Sequence, residues 1–346
     1  MVSIIAGDED PQLPPVAADE VGDHTLADAL FLLSYQENGP GEANRIESLL
    51  ENKLSDRDDR IRFEEAGHRY FVDEELVPTS VTTLLGKFHS IFDSMTAIEK
   101  MRKGRNWTNK KKEFTKEDGT IMNNDEIIAL WDMKKDIASK RGTLMHWHIE
   151  QRLNGRHILP PHSTEFQMFF NFAKDWLWGK GRQVYRTEAN LYHIGLSVAG
   201  QADLICVEGD GTLSIFDWKR TREIKRTNRY EKMKPPLDDF QDCNYLHYCL
   251  QLNLYRYIIE SEYERTVSLM YLVILHPSQL AYEVIPVPQM GEEINKVVDY
   301  LIAQGQAGEP VPGNVASPFS RKRARSEIVN LDRLPPISKA PSCCFY

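Results

Sequence analysis

The chain has 346 residues, 27% of them charged, and a formal net charge of −9 at pH 7. That length allows one large or two ordinary domains. Its five cysteines (Cys206, Cys243, Cys249, Cys343, Cys344) show no C-x-x-C spacing. This argues against a disulfide scaffold, a structural zinc and an iron–sulfur cluster, and predicts an intracellular protein with reduced thiols.

The negative charge is concentrated at one end. Residues 1–60 hold 14 acidic against 4 basic side chains, so the remainder is nearly neutral and can carry basic patches. Residues 1–57, acidic and dotted with Pro and Gly, read as a mostly disordered tail. Within it, Leu26, Ala27, Leu30, Phe31 and Leu33 behind a Thr25 cap predict a short amphipathic helix over 25–35. That helix either docks on a partner protein or folds back on the core.

An ordered domain is expected over 58–303. Arg62-Phe63-Glu64 and Tyr70-Phe71-Val72 flank Ala66-Gly67 as a hairpin, and Ser80 caps a helix beginning at Val81. A long helix over about 124–153 follows, with Ile127, Trp131, Ala138, Met145, Ile149 and Leu153 as its apolar stripe. Next come a helix over about 166–178 and strands near 184–192, 197–207 and 212–218. A helix over about 239–261, strands near 266–275 and 281–287, and a helix ending near Ala303 complete the order. This succession indicates an α/β fold with a mixed central sheet flanked by helices. The longest apolar run, Val267 to Leu275, is too short to span a bilayer, and the acidic N-terminus does not resemble a signal or transit peptide. Residues 304–346, rich in Pro, Ser and Gly, read as a disordered tail. Its basic cluster Arg321-Lys322-Arg323-Ala324-Arg325 resembles a nuclear-localisation signal and is compatible with nuclear import.

The chemistry centres on a second hairpin. The runs Ser197–Val207 and Thr212–Lys219 flank Gly209-Asp210-Gly211. If residue 208 pairs with 212, Asp203 lies opposite Asp217, and Asp217 and Lys219 share a face with Leu213 and Ile215. Two carboxylates opposed on a half-buried sheet repel unless a positive group stands between them, and oxygen ligands favour Mg²⁺ or Mn²⁺. A surface hairpin with solvated charges is the alternative, although these strands are strongly apolar. His146 and Glu150 share a face of the long helix at i, i+4, and Gln251 and Tyr255 repeat that spacing on the later helix.

These elements occur in a telling order: Gly142-Thr143-x-x-His146-x-x-x-Glu150, Glu188, Gly200-Gln201-Ala202-Asp203, Asp217-Trp218-Lys219-Arg220-Thr221 and Gln251-Leu252-Asn253-Leu254-Tyr255. With His68-x-Tyr70, Ser80-Val81-Thr82 and Phe92-Asp93 before them, they resemble the PD-(D/E)XK nuclease superfamily over roughly residues 60–290. The likeness is to the RecB-type, lambda-exonuclease-like branch and to the mitochondrial genome maintenance exonucleases. Ala202 stands where the superfamily name has proline. The resemblance implies a restriction-endonuclease-like core in which Asp203, Asp217 and Lys219 are catalytic. It implies His146, Asp203, Asp217, the Trp218 carbonyl and in addition Glu150 as ligands of Mg²⁺ or Mn²⁺, with Glu188 behind them. Gln251 and Tyr255 then position nucleic acid.

Two basic stretches suit a polyanion. Residues 100–116 hold eight Lys/Arg against one Glu, with Trp107 and Phe114 interleaved among Lys110, Lys111 and Lys112; residues 219–234 hold eight against two acids and include Arg220. Solvated helix or loop faces are the alternative. The leading expectation is a Mg²⁺- or Mn²⁺-dependent deoxyribonuclease acting on strand ends. Endonuclease action on DNA or RNA, a nuclease fold kept only for nucleic-acid binding, and an adaptor working through its tails are the rivals.

Overall fold

The computed structural model describes residues 52–155 and 163–305, together with the backbone of Ser338–Lys339. The expected helix over 25–35 and the basic cluster at 321–325 lie outside the described residues. A 3-10 turn (Asp56–Asp59) precedes strands β1 (Ile61–Glu64), β2 (Arg69–Val72), β3 (Glu75–Val77) and β4 (Thr79–Ser80). Helices α1 (Val81–Gly86), α2 (Ser94–Lys103), α3 (Trp107–Lys110), α4 (Asn124–Leu153) and α5 (Thr164–Phe172) follow. Then come β5 (Gln183–His193), β6 (Val198–Val207), β7 (Leu213–Lys219), α6 (Asn244–Glu262), β8 (Val267–Ile274), β9 (Glu283–Pro286), α7 (Gly291–Ala303) and β10 (Ser338–Lys339). No helix among the described residues is long and apolar enough to cross a membrane.

Where a single domain over 58–303 is expected, these residues divide into two compact units. The described part of the first is 90–144. Its core is Ile98 of α2, Phe114 and Ile127 of α4, with Trp107 and Trp131 packed against them. Helices α2 and α3 escaped the sequence reading because their stretch is dominated by charge; Asp93 caps α2 by accepting from the Met95 and Thr96 N–H groups.

The second unit holds the other described residues. Its β1–β2 hairpin pairs Ile61 with Val72 and Glu64 with Arg69, and β3 extends it to a small antiparallel sheet. Ser80 Oγ accepts from the Thr83 N–H at 3.1 Å and starts α1, as expected. The main sheet runs β10-β9-β8-β7-β6-β4, with β5 also paired to β6. Strands β5, β6 and β7 are antiparallel neighbours, whereas β7 and β8 are parallel and joined through α6, so the sheet is mixed. Helices α1, α6 and α7 cover one face, with Leu213, Ile215, Leu250, Leu254 and Val297 in that core. Helix α5 and the end of α4 cover the other, through Ile149, Phe169, Phe172, Phe216 and Trp218. Burying each such side chain contributes about 1.5–3 kcal/mol, and the two layers together fix the sheet.

One boundary differs from the expectation, and one helix reaches its expected end by a change of winding. Helix α5 continues as a π-wound turn, Ala173–Trp178, that closes on Gly179, where a Cβ would stand 2.7 Å from the Lys174 carbonyl. Helix α6 begins at Asn244, not near Asp239. The Asn244 side chain is engaged by the preceding loop, accepting from the Lys225 N–H and donating to the Glu223 carbonyl, and Cys243 is extended.

Candidate functional site

The β6–β7 hairpin has the anticipated register. The Glu208 N–H donates to the Thr212 carbonyl at 2.8 Å, Gly211 takes φ +81°, and the ladder runs from Val207↔Leu213 to Leu204↔Phe216. There it stops. Strand β7 stays on β8 as far as Lys219↔Ile274, while the far end of β6 takes β4 at Val198 and Ala199. Gly200 to Asp203 therefore border a fork in the sheet. Across it the Trp218 N–H donates to Asp203 Oδ2 at 2.7 Å, a carboxylate standing in for the missing backbone acceptor.

The other edge of β6 carries a matching break. Thr187↔Leu204 and Ala189↔Ala202 bracket Glu188 opposite Asp203, but Glu188 itself has φ +46°, a left-handed conformation that costs about 1–3 kcal/mol in a non-glycine residue. Glu188, Asp203 and Asp217 thus occupy one rung across three strands, all buried. Burial pushes the Asp203 carboxyl well above its usual range; nearby His146 opposes this, and the charges of Asp217 and Glu188 add to it.

Helix α4 brings His146 to this rung. Its Nδ1 lies 3.7 Å from Glu188 Oε1 and 3.7 Å from Asp203 Oδ1, and Nε2 is 3.2 Å from the Trp218 carbonyl. A carbonyl only accepts, so Nε2 carries the proton and, in the neutral ring, Nδ1 turns a lone pair toward two carboxylates. Three facing donors of that kind repel unless a cation stands among them. Ligand atoms of His146, Glu188 and Asp203 lie within 4.8 Å of one another, close enough to hold a divalent cation. Glu188, expected behind the ligands, belongs to this three-residue group. Asp217, expected among the ligands, lies outside it, with its Oδ2 2.9 Å from Lys219 Nζ. Glu150 is buried one turn beyond His146 but does not belong to the three-residue group, and the Trp218 carbonyl faces the His146 ring.

Lys219 has no exposure and is held from several sides. Besides Asp217, its Nζ donates to Gln251 Oε1 at 3.4 Å and lies 4.6 Å from the centroid of the Tyr248 ring. Gln251 Nε2 in turn donates to the Tyr255 hydroxyl at 3.1 Å, and burial pushes that hydroxyl far up its titration range. Both α6 side chains are buried; Gln251 meets Lys219 directly and Tyr255 reaches it through Gln251. Gly200 leaves room for them: a Cβ there would meet Tyr255 Cε1 at 2.7 Å. Tyr248 was not singled out from the sequence, although it precedes Gln251 by three residues and so shares its face.

The basic residues separate into different environments. Arg220 is buried and its Nε donates to Glu165 Oε1 at 2.8 Å, an intramolecular partner for a side chain expected to meet phosphate. In the first unit, Trp107 stacks on the buried Phe114 with ring centroids 5.9 Å apart. The aromatic interleaving of that stretch is therefore core packing, while Lys111 and Lys112 are exposed and Lys110 is half-buried.

No protein-family model and no curated protein matches the chain. Among solved structures, one titled "Crystal structure of SSO0001" is 15% identical, with 65% of this chain and 74% of that chain covered and a TM-score of 0.25.

Proposed function

We propose that the chain is a metal-dependent nuclease that hydrolyses phosphodiester bonds of DNA, built on a restriction-endonuclease-like core. The observation that carries this reading is the buried Glu188–Asp203–Asp217 rung at a strand fork, with His146 on one side and the enclosed Lys219 on the other. A purely structural sheet gains nothing from three buried carboxylates on one rung, because like charges out of water destabilise it. A bound Mg²⁺ or Mn²⁺ would supply Lewis acidity toward the phosphoryl oxygen and a more acidic water.

His146, Glu188 and Asp203 would hold that cation, and the Nε2–H of His146 donating to the Trp218 carbonyl fixes its ring for the task. Asp217 and Gln251 hold Lys219 so that its ammonium is presented in one place, where it stabilises charge that develops on the phosphate. Tyr255 orients Gln251. The ordered motifs, by their resemblance to the RecB-type branch, favour strand ends over internal bonds.

The test is incubation of the full chain with end-labelled and circular DNA and RNA, in Mg²⁺, Mn²⁺ or EDTA, beside Lys219→Ala. Ladders growing from one end, dependent on metal and lost in the variant, are expected. Cut circles would replace exonuclease by endonuclease, and cleavage confined to RNA would change the substrate. Absence of cleavage under either metal would end the enzymatic reading.

A further inference from the structure

Strand β7 ends at Lys219, and the chain returns to that side chain at Tyr248 and Gln251 of α6, so the connection 220–243 is rooted at both ends in the site. It contains no helix or strand, yet it is pinned along its length. The Asn228 N–H donates to Gln241 Oε1 at 2.8 Å and Asn228 Nδ2 to the Asp242 carbonyl at 2.7 Å. The Asp242 N–H donates to the Glu231 carbonyl, and the Met233 N–H to the Phe240 carbonyl. Beneath this paired stretch the His247 ring binds Asp242 and stacks on His89, with centroids 3.6 Å apart.

At its bend the Tyr230 N–H donates to Asn228 Oδ1 at 3.1 Å, and the Tyr230 side chain is 95% exposed. A ring held in water by a fixed backbone is preorganised for a partner, since little further ordering is needed on contact. Its neighbours Arg229 and Lys232 are exposed, within a stretch of eight cations against two acids from Lys219 to Lys234. Arg226 is spoken for by the Tyr245 ring, 4.6 Å from its centroid. Of the nearby acids, Glu231 is half-buried with its Oε2 3.5 Å from Asn228 Nδ2, Asp242 is buried against His247, and Asp239 is paired with Lys296 at 2.9 Å. A flat aromatic face flanked by exposed cations matches a base beside its phosphates better than it matches an acidic peptide, which would use the charge and not the ring.

We propose that Tyr230, with Arg229 and Lys232 beside it, is a stacking post for an unpaired base of the strand served by Lys219; this rests on the nuclease reading above. The test measures binding of the full chain in EDTA to a fluorescein-labelled single-stranded oligonucleotide, to a closed duplex of equal charge, and to polyglutamate. Tyr230→Ala is expected to weaken single-strand binding by about 5- to 150-fold, the range for loss of one base–aromatic stack, and to leave duplex binding unchanged. Tyr230→Phe and Tyr230→Trp restore it. A 2-aminopurine oligonucleotide is quenched by the native chain and not by Tyr230→Ala. Wild-type binding or cleavage of single strands that Tyr230→Ala matches sinks the stacking post and leaves the nuclease reading intact. A well-folded wild type that binds no nucleic acid sinks both, and polyglutamate binding that depends on Tyr230 would reassign the surface to acidic protein.

Discussion

The β6–β7 hairpin has two ends made from the same two strands, and they behave as opposites. From Val207↔Leu213 to Leu204↔Phe216 every rung is laddered, and all the side chains except that of the buried Ser214 enter one apolar core or the other. One rung further the ladder is replaced by Asp203, Asp217 and Lys219, equally buried but polar. The turn end supplies hydrophobic free energy and geometry, and the fork end consumes both to hold like charges near a histidine. Removing parts of each end should therefore produce opposite patterns in activity and stability.

The largest expected effect lies at the fork. Asp203→Asn keeps an oxygen that can accept from the Trp218 N–H but removes a charge from the group with His146 and Glu188. Activity should fall by about 10²–10³-fold or more, the size seen when one preorganised electrostatic group is lost, while thermal unfolding in EDTA moves upward. Lower stability in EDTA would show that the rung is not under electrostatic stress. Next is Lys219→Met, which strands Asp217 without its buried cation and should cost about 3–5 kcal/mol in urea unfolding. Adding Asp217→Asn should recover most of that loss, and a double variant no better than the single would contradict the pairing seen at 2.9 Å.

The turn end gives the reverse signature. Ile215→Ala, at a site with no exposure, should destabilise by about 2–5 kcal/mol yet leave activity per folded molecule near native below the melting temperature. A smaller effect is expected from Gly200→Ala, whose methyl group would displace the Tyr255 ring and loosen Gln251 beneath Lys219. Overpacking of this kind costs about 1–3 kcal/mol. Its activity loss should not be relieved by Tyr255→Phe, which keeps the Cε1 carbon that the methyl group meets and removes the hydroxyl that holds Gln251.

This division also explains what was legible in the sequence. The hairpin register followed from the Gly209–Gly211 turn and period-2 alternation, and helix α4 from its stripe, because both are local patterns. The placement of Glu188 was not local. Its rung depends on a bulge between Val184 and Arg186 in β5, which shifts the pairing by one residue and cannot be read from composition. The membership of Glu188, and not Asp217, in the group with His146 has the same origin. Charge runs misled for a different reason: Trp107 and Phe114 look interleaved in sequence but turn inward together as the first unit's core.

The pH dependence of stability offers the subtlest separation, because groups at the fork and groups elsewhere pull in opposite directions. His89 and His193 are held down to about 4 by burial, so they are neutral in the folded chain and must charge as it unfolds in acid. Their contribution is present above the unfolded value near 6.5 and is lost as pH falls from there toward 4. Asp203 has the other sign. Its folded pKa is raised, so the folded chain holds that proton more tightly than the unfolded one, and the associated stability is present at low pH and lost as pH rises through the folded value. In EDTA the native chain should therefore lose the stability that Asp203 contributes as pH rises from the unfolded carboxylate value near 3.8 toward the folded one, against the gain from the histidines over the same acid range. Asp203→Asn should remove the loss on rising pH, and His193→Gln should lessen the loss on falling pH. Mn²⁺ should raise the stability of the native chain increasingly as pH rises and should not raise that of Asp203→Asn, since a cation bound to the ionised rung replaces the proton. Differential scanning fluorimetry from pH 4 to 9 reads all three, and native stability that Mn²⁺ leaves untouched across that range would remove the cation from the fork.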